Sequence, residues 1–356
     1  MNDKEYLWRI ADGYPEGNGC KVFSCFSGGG GSTMGYKLAG YEVIGNCEID
    51  PRMNEVYIAN HHPMFNFCEP IQDLKKRKDL PDELYHLDVL DGSPPCSSFS
   101  MSGDREKQWG KKKKFKEGQA KQVLDTLFFD FIDLAKRLQP KVVIAENVKG
   151  LLLGNAKKYV AKIYKELEGA GYYVRHFLLN GADMGLPQRR ERVFFVCLRK
   201  DLATPLLENN GFFERRPRIE MEFNHPHIPI SEVTDYMGDE ITIGGVIRKL
   251  WMYRMPGDRS QEEANVRLYG KVANFNQMYA YQDLICPTVA SKKSGIIHFD
   301  RPLYLSVTEL MKVSSFPLDY DFKGQTPYYI CGMSVPPQMM KRVSQEVYKQ
   351  WLKVIK

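Results

Sequence analysis

The chain has 356 residues, which suffices for two domains, and its 43% hydrophobic and 26% charged residues are typical of a globular protein. Its eight cysteines are scattered without CxxC pairs, which disfavours a zinc cluster or a disulfide framework and fits a reducing cytosol. No apolar stretch is long enough to cross a bilayer and the polar N-terminus has no signal-peptide pattern, so we expect a cytoplasmic protein without a membrane partner. The net charge of +6 is a weak indication of a polyanionic partner.

The first two hundred residues alternate between strand and helix patterns. Short apolar runs predict strands at residues 21–26, 42–48, 87–91, 141–146, 172–179 and 192–198. Helical patterns between them cover residues 33–39, a helix that starts at Pro51, and residues 123–138 and 159–167. This alternation predicts an α/β fold with a doubly wound, mostly parallel sheet and with ligands at the carboxyl ends of the strands.

The pattern changes after about residue 200. Residues 200–300 are rich in Pro, Gly, Asn and aromatic residues and lack strand–helix alternation, which predicts a second, smaller domain of irregular and β structure. Helical patterns return at residues 307–312 and 337–353.

A glycine-rich loop follows the first predicted strand. Residues 26–32 contain four consecutive glycines, which let the backbone approach a ligand, and the following helix start favours a carboxylate or phosphate. Glu48 lies about 20 residues further on, at the end of the second strand, where an acid can bind both ribose hydroxyls. The pair predicts an adenosine cofactor and does not distinguish NAD from S-adenosylmethionine.

Cys96 and Glu146 are the candidates for chemistry. Cys96 follows two prolines on a stiff turn, and Glu146 ends a buried-type strand. A thiolate can add to C6 of a pyrimidine when an acid protonates or hydrogen-bonds the ring nitrogen. The plainer interpretations are a small buried thiol and a carboxylate that caps a turn with Asn147. A buried acid is costly unless it is used or paired, which favours function for Glu146.

Taken in order, these motifs resemble those of the DNA cytosine-5 methyltransferases of bacterial and phage restriction-modification type. The similar segments are residues 26–31, 39–40, 48–51, 69–71, 93–96, 146–148, 188–192, 309–317 and 332–337. The sequence departs from the family pattern at Ser24, usually Asp, at Ser97, usually Gln, and at Met333, usually Asn. The resemblance implies a seven-stranded Rossmann-like methyltransferase sheet with a smaller target-recognition domain.

The resemblance also implies S-adenosylmethionine as cofactor and no metal. The residues expected to bind the cofactor are Phe26, Gly28, Gly29, Gly30, Gly31, Glu48, Ile49, Glu69, Ile71, Pro95, Ser334 and Val335. Glu69 stands where the family usually has an Asp that contacts the adenine amine.

The implied reaction is methylation of cytosine at C5 after the base is flipped out of the duplex. Cys96 attacks C6, Glu146 holds N3 and the exocyclic amine, and Arg192 binds the base oxygen O2. Arg190 contacts a phosphate or the Cys96 loop, and Asn147 fixes the local backbone. The expected DNA contacts are Ser100, Lys111, Lys112, Lys113, Gln188 and Arg190. For the lysines, a solvated surface run is the alternative.

The resemblance implies three regions: a catalytic domain that binds S-adenosylmethionine (1–199), a target-recognition domain (200–305) and a C-terminal segment that returns to the catalytic domain (306–356). The candidates for base or phosphate contact in the second region are Arg248, Arg254, Arg259, Lys271, Asn274, Asn276, Gln277, Lys292 and Lys293. The expected partners are double-stranded DNA and a functionally paired restriction endonuclease, and the expected state is a monomer.

Three other functions compete with this one. An RNA cytosine-5 methyltransferase of the same architecture is the nearest, followed by a catalytically silent DNA-binding relative. An NAD-dependent enzyme with Cys96 as nucleophile is the third. The sequence leaves open the recognised DNA site, the existence of an endonuclease and the host.

Overall fold

The computed structural model describes residues 4–95, 126–154, 156–207, 216–291 and 295–355. The chain divides into two compact units. The sheet unit comprises residues 14–179, 191–222 and 340–356, and the second unit comprises residues 1–13, 180–190 and 223–339.

The sheet unit contains one seven-stranded sheet. Its strands are β1 (Lys21–Cys25), β2 (Glu42–Cys47), β3 (Phe65–Phe67), β4 (Val89–Gly92), β5 (Val142–Val148), β6 (Tyr172–Asn180) and β7 (Glu191–Arg199). They lie in the order β3-β2-β1-β4-β5-β7-β6; the first five pair in parallel, and β7 runs antiparallel to β5. The predicted mostly parallel α/β sheet is confirmed, although the sequence pattern missed the short strand β3.

Five helices accompany the sheet strands in the sequence. They are α1 (Gly31–Leu38), α2 (Pro51–His61), α3 (Ile71–Leu74), α4 (Leu127–Leu138) and α5 (Ala156–Gly169). Helix α2 starts as predicted, because Pro51 occupies the first helical position and the Asp50 side chain accepts a hydrogen bond from the Arg52 amide. The first residues of the helix predicted at 123–138 lie outside the described part of the chain.

A hydrophobic cluster covers one face of the sheet. It joins Phe23, Leu90 and Val143 from the strands to Phe131 of α4 and Ile163 of α5. Because neighbouring side chains on a strand point to opposite faces, the residues next to these on β1, β4 and β5 face the other side. Helix α1 packs on that other side.

The described residues of the second unit form further helices and a small sheet. The helices are α6 (Val246–Met252), α7 (Gln261–Tyr269), α8 (Val307–Val313) and α9 (Pro327–Met333); helix α10 (Pro337–Val347) begins in this unit and belongs to the sheet unit from residue 340 onwards. Strands β8 (Met278–Ala280) and β9 (Ile296–His298) pair in parallel. The two returning helical segments agree with α8 and α10, whereas the prediction of irregular and β structure for residues 200–300 missed the helices α6 and α7.

The compact units do not coincide with the predicted domain boundaries. Residues 1–13, 180–190 and 306–339 join residues 223–305 in the second unit, whereas residues 200–222 belong to the sheet unit. The three-region division by function therefore stays a prediction, and the physical units interleave along the chain.

The described residues contain neither a membrane-spanning helix nor a cluster of metal-binding side chains. None of the helices built from them is long and apolar enough to cross a membrane. A search of the same residues finds no group of three or more His, Cys, Asp or Glu side chains able to hold a metal ion.

We expect Gly92→Ala to destabilise the protein by about 1–3 kcal/mol, because a Cβ at Gly92 would lie 2.5 Å from Cε2 of the Phe131 ring. Gly169→Ala is the matched control, since a Cβ there meets nothing within 4 Å. Thermal denaturation followed by circular dichroism measures both variants. Equal melting temperatures for the two variants would contradict the close packing of Gly92 on Phe131.

Candidate active site

The glycine loop is a tight turn that packs against the His61 ring. Gly30 has a φ of +83°, and its amide donates to the Ser27 carbonyl at 2.8 Å. A Cβ on Gly30 would lie 2.0 Å from Nε2 of His61, so only glycine fits. The His61 ring contacts the Gly29 carbonyl oxygen at 3.2 Å, and burial lowers the pKa of His61 to about 3. The neutral ring therefore fixes the loop at all ordinary pH values.

Glu48 lies beside this loop, at the end of β2. One of its carboxylate oxygens accepts from the Gly28 amide at 2.8 Å and the other from the Asp50 amide at 2.9 Å. Burial raises the pKa of Glu48, while these amide bonds oppose the shift. A Cβ on Gly28 would meet no atom within 4 Å, so the loop borders open space at this point. A buried carboxylate next to an open glycine loop fits the ribose of an adenosine cofactor.

The other predicted cofactor residues of the sheet unit differ in burial and in their partners. Phe26, Ile49 and Pro95 are half-buried, and Ile71 is buried. The Glu69 carboxylate lies 3.3 Å from the Arg77 guanidinium, which also binds Asp79. Glu69 is therefore engaged in an ion pair.

Glu146 and Arg192 form a buried ion pair. Nε of Arg192 lies 2.9 Å from Oε1 of Glu146, and their side chains are 14% and 10% exposed. Strands β5 and β7 bring them together, since Val148 pairs with Arg192 in the antiparallel register. Burial lowers the pKa of Arg192, and the adjacent carboxylate partly offsets this effect. The pair presents an acid and a guanidinium side by side at the end of β5.

Asn147 connects this pair to the segment that carries the candidate nucleophile. Its Nδ2 donates to the Pro94 carbonyl at 3.1 Å, and its Oδ1 accepts from the Val148 amide at 2.9 Å. These bonds agree with the predicted role of Asn147 in fixing the backbone. Pro94 stands two residues before Cys96 in the sequence.

Several predicted residues lie outside the part of the chain that the structure describes. They are Cys96, Ser97, Ser100, Lys111, Lys112, Lys113, Lys292 and Lys293. Their assigned roles stay predictions.

Arg190 and Gln188 are buried in the second unit. The Arg190 guanidinium, only 1% exposed, donates to the carbonyls of Val289, Gly332 and Ser334 at 2.8–3.1 Å. The Gln188 amide donates to the Val313 carbonyl and accepts from the Val289 amide. Both side chains connect segments within this unit, an arrangement that does not favour the predicted DNA contacts.

Arg190 consequently anchors residues 332–337, the last of the segments that resemble the family. A Cβ on Gly332 would lie 2.6 Å from the carbonyl of Ala290, so two backbone segments touch there. Ser334 receives the Arg190 bond, Val335 is buried and Met333 is 52% exposed. The predicted cofactor residues Ser334 and Val335 thus belong to an anchored segment of the second unit.

Sequence reasoning missed a buried acid, Asp91. Its carboxyl accepts from Oγ of Ser24 at 2.8 Å and from the Tyr36 hydroxyl at 3.3 Å. Burial raises the pKa of Asp91 to about 7. The sequence feature that could have indicated Asp91 is an acid near the end of an apolar predicted strand. Ser24, noted as a departure from the family pattern, is the partner of this acid.

We expect Arg190→Ala to lower the free energy of unfolding by at least about 3 kcal/mol, because three buried carbonyls lose a charged donor. The neighbouring Arg189 is exposed, so Arg189→Ala should change stability by less than about 0.5 kcal/mol. Chemical denaturation measures both. Unchanged stability of Arg190→Ala, together with weaker DNA binding, would instead support the phosphate contact.

Comparisons with known proteins identify the family. The model of the C-5 cytosine-specific DNA methylases matches residues 20–349. The type II methyltransferase M1.HphI of Haemophilus parahaemolyticus is 29% identical over 91% of this chain and 85% of its own length. The type II methyltransferase M.DdeI of Desulfomicrobium norvegicum is 27% identical over 92% and 88%.

Solved structures support the fold alone. The structure of a Spodoptera frugiperda DNMT2 mutant superposes with a TM-score of 0.57 at 16% identity, covering 94% of this chain and 99% of that one. S. pombe Dnmt2 gives a TM-score of 0.58 at 14% identity, covering 93% and 98%. The family match over most of the chain confirms the resemblance of the motifs: the chain belongs to the C-5 cytosine-specific DNA methylase family, whose reaction is methyl transfer to C5 of cytosine in DNA.

Proposed function

We propose that the protein methylates C5 of cytosine within a defined duplex DNA sequence, with S-adenosylmethionine as methyl donor and a covalent Cys96–C6 bond as intermediate. The observation that carries the proposal is the buried Glu146–Arg192 pair, linked through Asn147 to the segment that precedes Cys96. The glycine loop and Glu48, whose carboxylate accepts from the Gly28 amide, support the assignment of the cofactor.

The Glu146–Arg192 pair matches one edge of cytosine. A protonated carboxyl at Glu146 can donate to N3 and accept from the exocyclic amine, while the Arg192 guanidinium donates to O2. Attack at C6 places negative charge on the ring, and donors already in position stabilise that charge without reorganisation. The low exposure of both side chains strengthens this effect.

Cys96 is the proposed nucleophile. Its thiolate adds to C6, and the electron pair displaced from the C5–C6 bond makes C5 nucleophilic. When bound, S-adenosylmethionine supplies the electrophilic methyl group. After methylation, C5 loses its proton to a base and the C6–S bond breaks, which restores the aromatic ring and the thiolate. A guanidinium close to the thiol would favour the thiolate form of Cys96.

The adenosine part of the cofactor would be held by the sheet unit. Glu48 would bind the ribose hydroxyls, and the backbone of residues 28–31 would lie against the charged end of the molecule. Phe26, Ile49 and Ile71 would supply apolar contacts. The proposal also assigns Pro95, Ser334 and Val335 to the cofactor site.

The target base is inaccessible within a duplex, so we propose that it is flipped out, at a cost of a few kcal/mol. Contacts in the second unit narrow the set of candidates for DNA recognition. Arg248 pairs with Glu240, and the Arg254 guanidinium stacks on Trp251 with its Cζ 3.5 Å from the ring centroid. Both are engaged inside the unit.

The better candidates lie on the loop of residues 270–277. Glu262 holds this loop by accepting from the amides of Ala273 and Phe275 at 2.8 and 2.6 Å. Its exposed side chains include Lys271, Asn274 and Asn276. Lysine suits a phosphate and asparagine suits an adenine edge, so a loop fixed in shape can present both. Arg259 is likewise exposed.

We also propose a partner, a cellular location and an oligomeric state. The relatives named type II methyltransferases support a functionally paired restriction endonuclease and a bacterial or phage-infected cytoplasm. A flipping enzyme needs one active site per target base, which supports a monomer.

The proposed covalent bond between Cys96 and cytosine can be trapped. On a mixed-sequence duplex that contains 5-fluorocytosine, the protein with S-adenosylmethionine should form a stable adduct, because fluorine at C5 cannot leave as a proton does. Gel electrophoresis detects the adduct, and sequencing of the trapped DNA gives the recognised site.

Cys96→Ala is the control and should give no adduct. An analogue-containing transfer RNA, tested in parallel, separates the RNA alternative. Cofactor binding without any adduct on DNA would overturn the proposal, and an adduct on RNA alone would replace DNA with RNA as substrate.

Glu146 is the proposed acid of the reaction. Glu146→Gln should lower the methyl-transfer rate by about 10²–10⁴-fold, because an amide cannot deliver a proton to N3. Glu191→Gln is the matched control, since Glu191 pairs with Lys149 and is 41% exposed. Transfer of a radiolabelled methyl group to DNA measures both. Equal rates for the two variants would exclude Glu146 as the acid.

A further inference from the structure

Asp91 is a buried acid that the proposed reaction does not use. It lies on β4, is 1% exposed, and accepts hydrogen bonds from Oγ of Ser24 at 2.8 Å and the Tyr36 hydroxyl at 3.3 Å. In the parallel register, Ser24 of β1 and Asp91 of β4 are directly paired. The carboxyl therefore joins β4 to β1 and to α1 on the sheet face opposite the main hydrophobic cluster.

The two hydroxyl donors flank the glycine loop. Ser24 lies two residues before Phe26, where the loop begins, and Tyr36 lies on the helix that follows the loop. Asp91 itself is followed by residues 92–95, which lead to Cys96. One side chain thus connects both ends of the cofactor loop to the strand that precedes the nucleophile.

The surroundings favour an uncharged carboxyl. The groups that interact electrostatically with Asp91 are Ser24 and, across the strand, Cys25 from β1, Ser32 and Tyr36 from α1, Tyr57 from α2 and Glu146 from β5. Burial and the Glu146 charge raise the pKa of Asp91, while the hydroxyl bonds oppose the shift, and the resulting pKa is about 7. Asp91 pairs with Ile144 in the register, so Glu146 projects from the same face two residues further along β5.

We infer that Asp91 is a positioning residue for methyl transfer: its carboxyl, hydrogen-bonded to Ser24 and Tyr36, fixes the glycine loop against the strand that leads to Cys96. The reaction itself belongs to the proposed function, and the inference rests on that function only for its rate measurement. The link acts before DNA binds, so cofactor affinity and stability report it directly.

The pH dependence follows from the raised pKa. Because the folded protein holds this proton more tightly than the unfolded chain, the stabilisation is complete below about pH 4 and is lost as pH rises through about 7. Asn at this position keeps an uncharged polar group of the same size. Asp91→Asn should therefore be free of this loss, so its melting temperature should rise relative to the wild type between pH 5 and pH 8.

The test uses Asp91→Asn and Asp91→Ala in the full-length protein. Asp88→Asn is the matched control, since Asp88 is a buried acid before the start of the same strand and pairs with Lys141. Calorimetric titration with S-adenosylmethionine gives Kd at pH 6 without DNA, thermal denaturation gives stability from pH 5 to pH 8, and labelled methyl transfer to DNA gives the rate.

We expect Asp91→Ala to raise Kd at least tenfold, Asp91→Asn to stay within threefold of the wild type, and Asp88→Asn to leave Kd unchanged. If Asp91→Ala does not fold, Ser24→Ala and Tyr36→Phe each remove one hydroxyl and should each raise Kd. Wild-type Kd in the folded Asp91→Ala variant, or in both hydroxyl variants, overturns the inference. So does an Asp91→Asn variant whose melting temperature follows pH as the wild type does.

The proposed methyl transfer and the positioning role of Asp91 can be overturned independently of each other. A wild-type protein that binds S-adenosylmethionine but methylates no DNA overturns the proposed function, while the Asp91 comparison still stands on Kd and stability. A wild-type protein that methylates DNA, with Asp91 variants indistinguishable from it in affinity, overturns only the inference.

Discussion

The parallel register of β1, β2, β4 and β5 is the constraint on which the rest of the site depends. Because these strands run in the same direction, their carboxyl ends meet at one edge of the sheet. The glycine loop, Glu48 and the segment before Cys96 each follow one of these ends, and Glu146 lies two residues before the end of β5. Strand β7 runs the opposite way, so its beginning, with Arg192, arrives at the same edge. Residues far apart in sequence are thereby assembled without a dedicated binding segment.

Glu48, Asp91 and Glu146 are buried near this edge, and each therefore needs a polar partner. The partners differ among the three acids. Backbone amides hydrogen-bond Glu48, hydroxyls hydrogen-bond Asp91, and a guanidinium pairs with Glu146. Amides and a guanidinium stabilise an anion more than hydroxyls do, so the three carboxyls differ in how far their partners offset the effect of burial. Chemically identical groups thus acquire different roles within one sheet edge.

The sequence predicted what depends on local pattern and motif order. The six long strands, the start of α2 at Pro51, and Glu48 and Glu146 at strand ends were all accessible from periodicity and spacing. Strand β3 was missed because its three residues are too few for a periodic signal. The burial of Arg190 was missed because its partners, such as Gly332, are about 140 residues away and offer backbone carbonyls that carry no side-chain signature. Asp91 was missed because its partnership with Ser24 exists only once β1 and β4 pair.

The interleaving of the two units has a consequence for synthesis of the protein. The chain passes between the units at residues 13–14, 179–180, 190–191, 222–223 and 339–340. Trp351 and Leu352, both 1% exposed, belong to the sheet unit, and Trp351 donates to the Arg218 carbonyl. The sheet unit therefore receives these buried side chains only after residues 223–339, which belong to the second unit, have been synthesised. A contiguous segment such as 200–305 covers only part of the second unit, so its exchange between relatives would separate it from residues 1–13, 180–190 and 306–339 of the same unit.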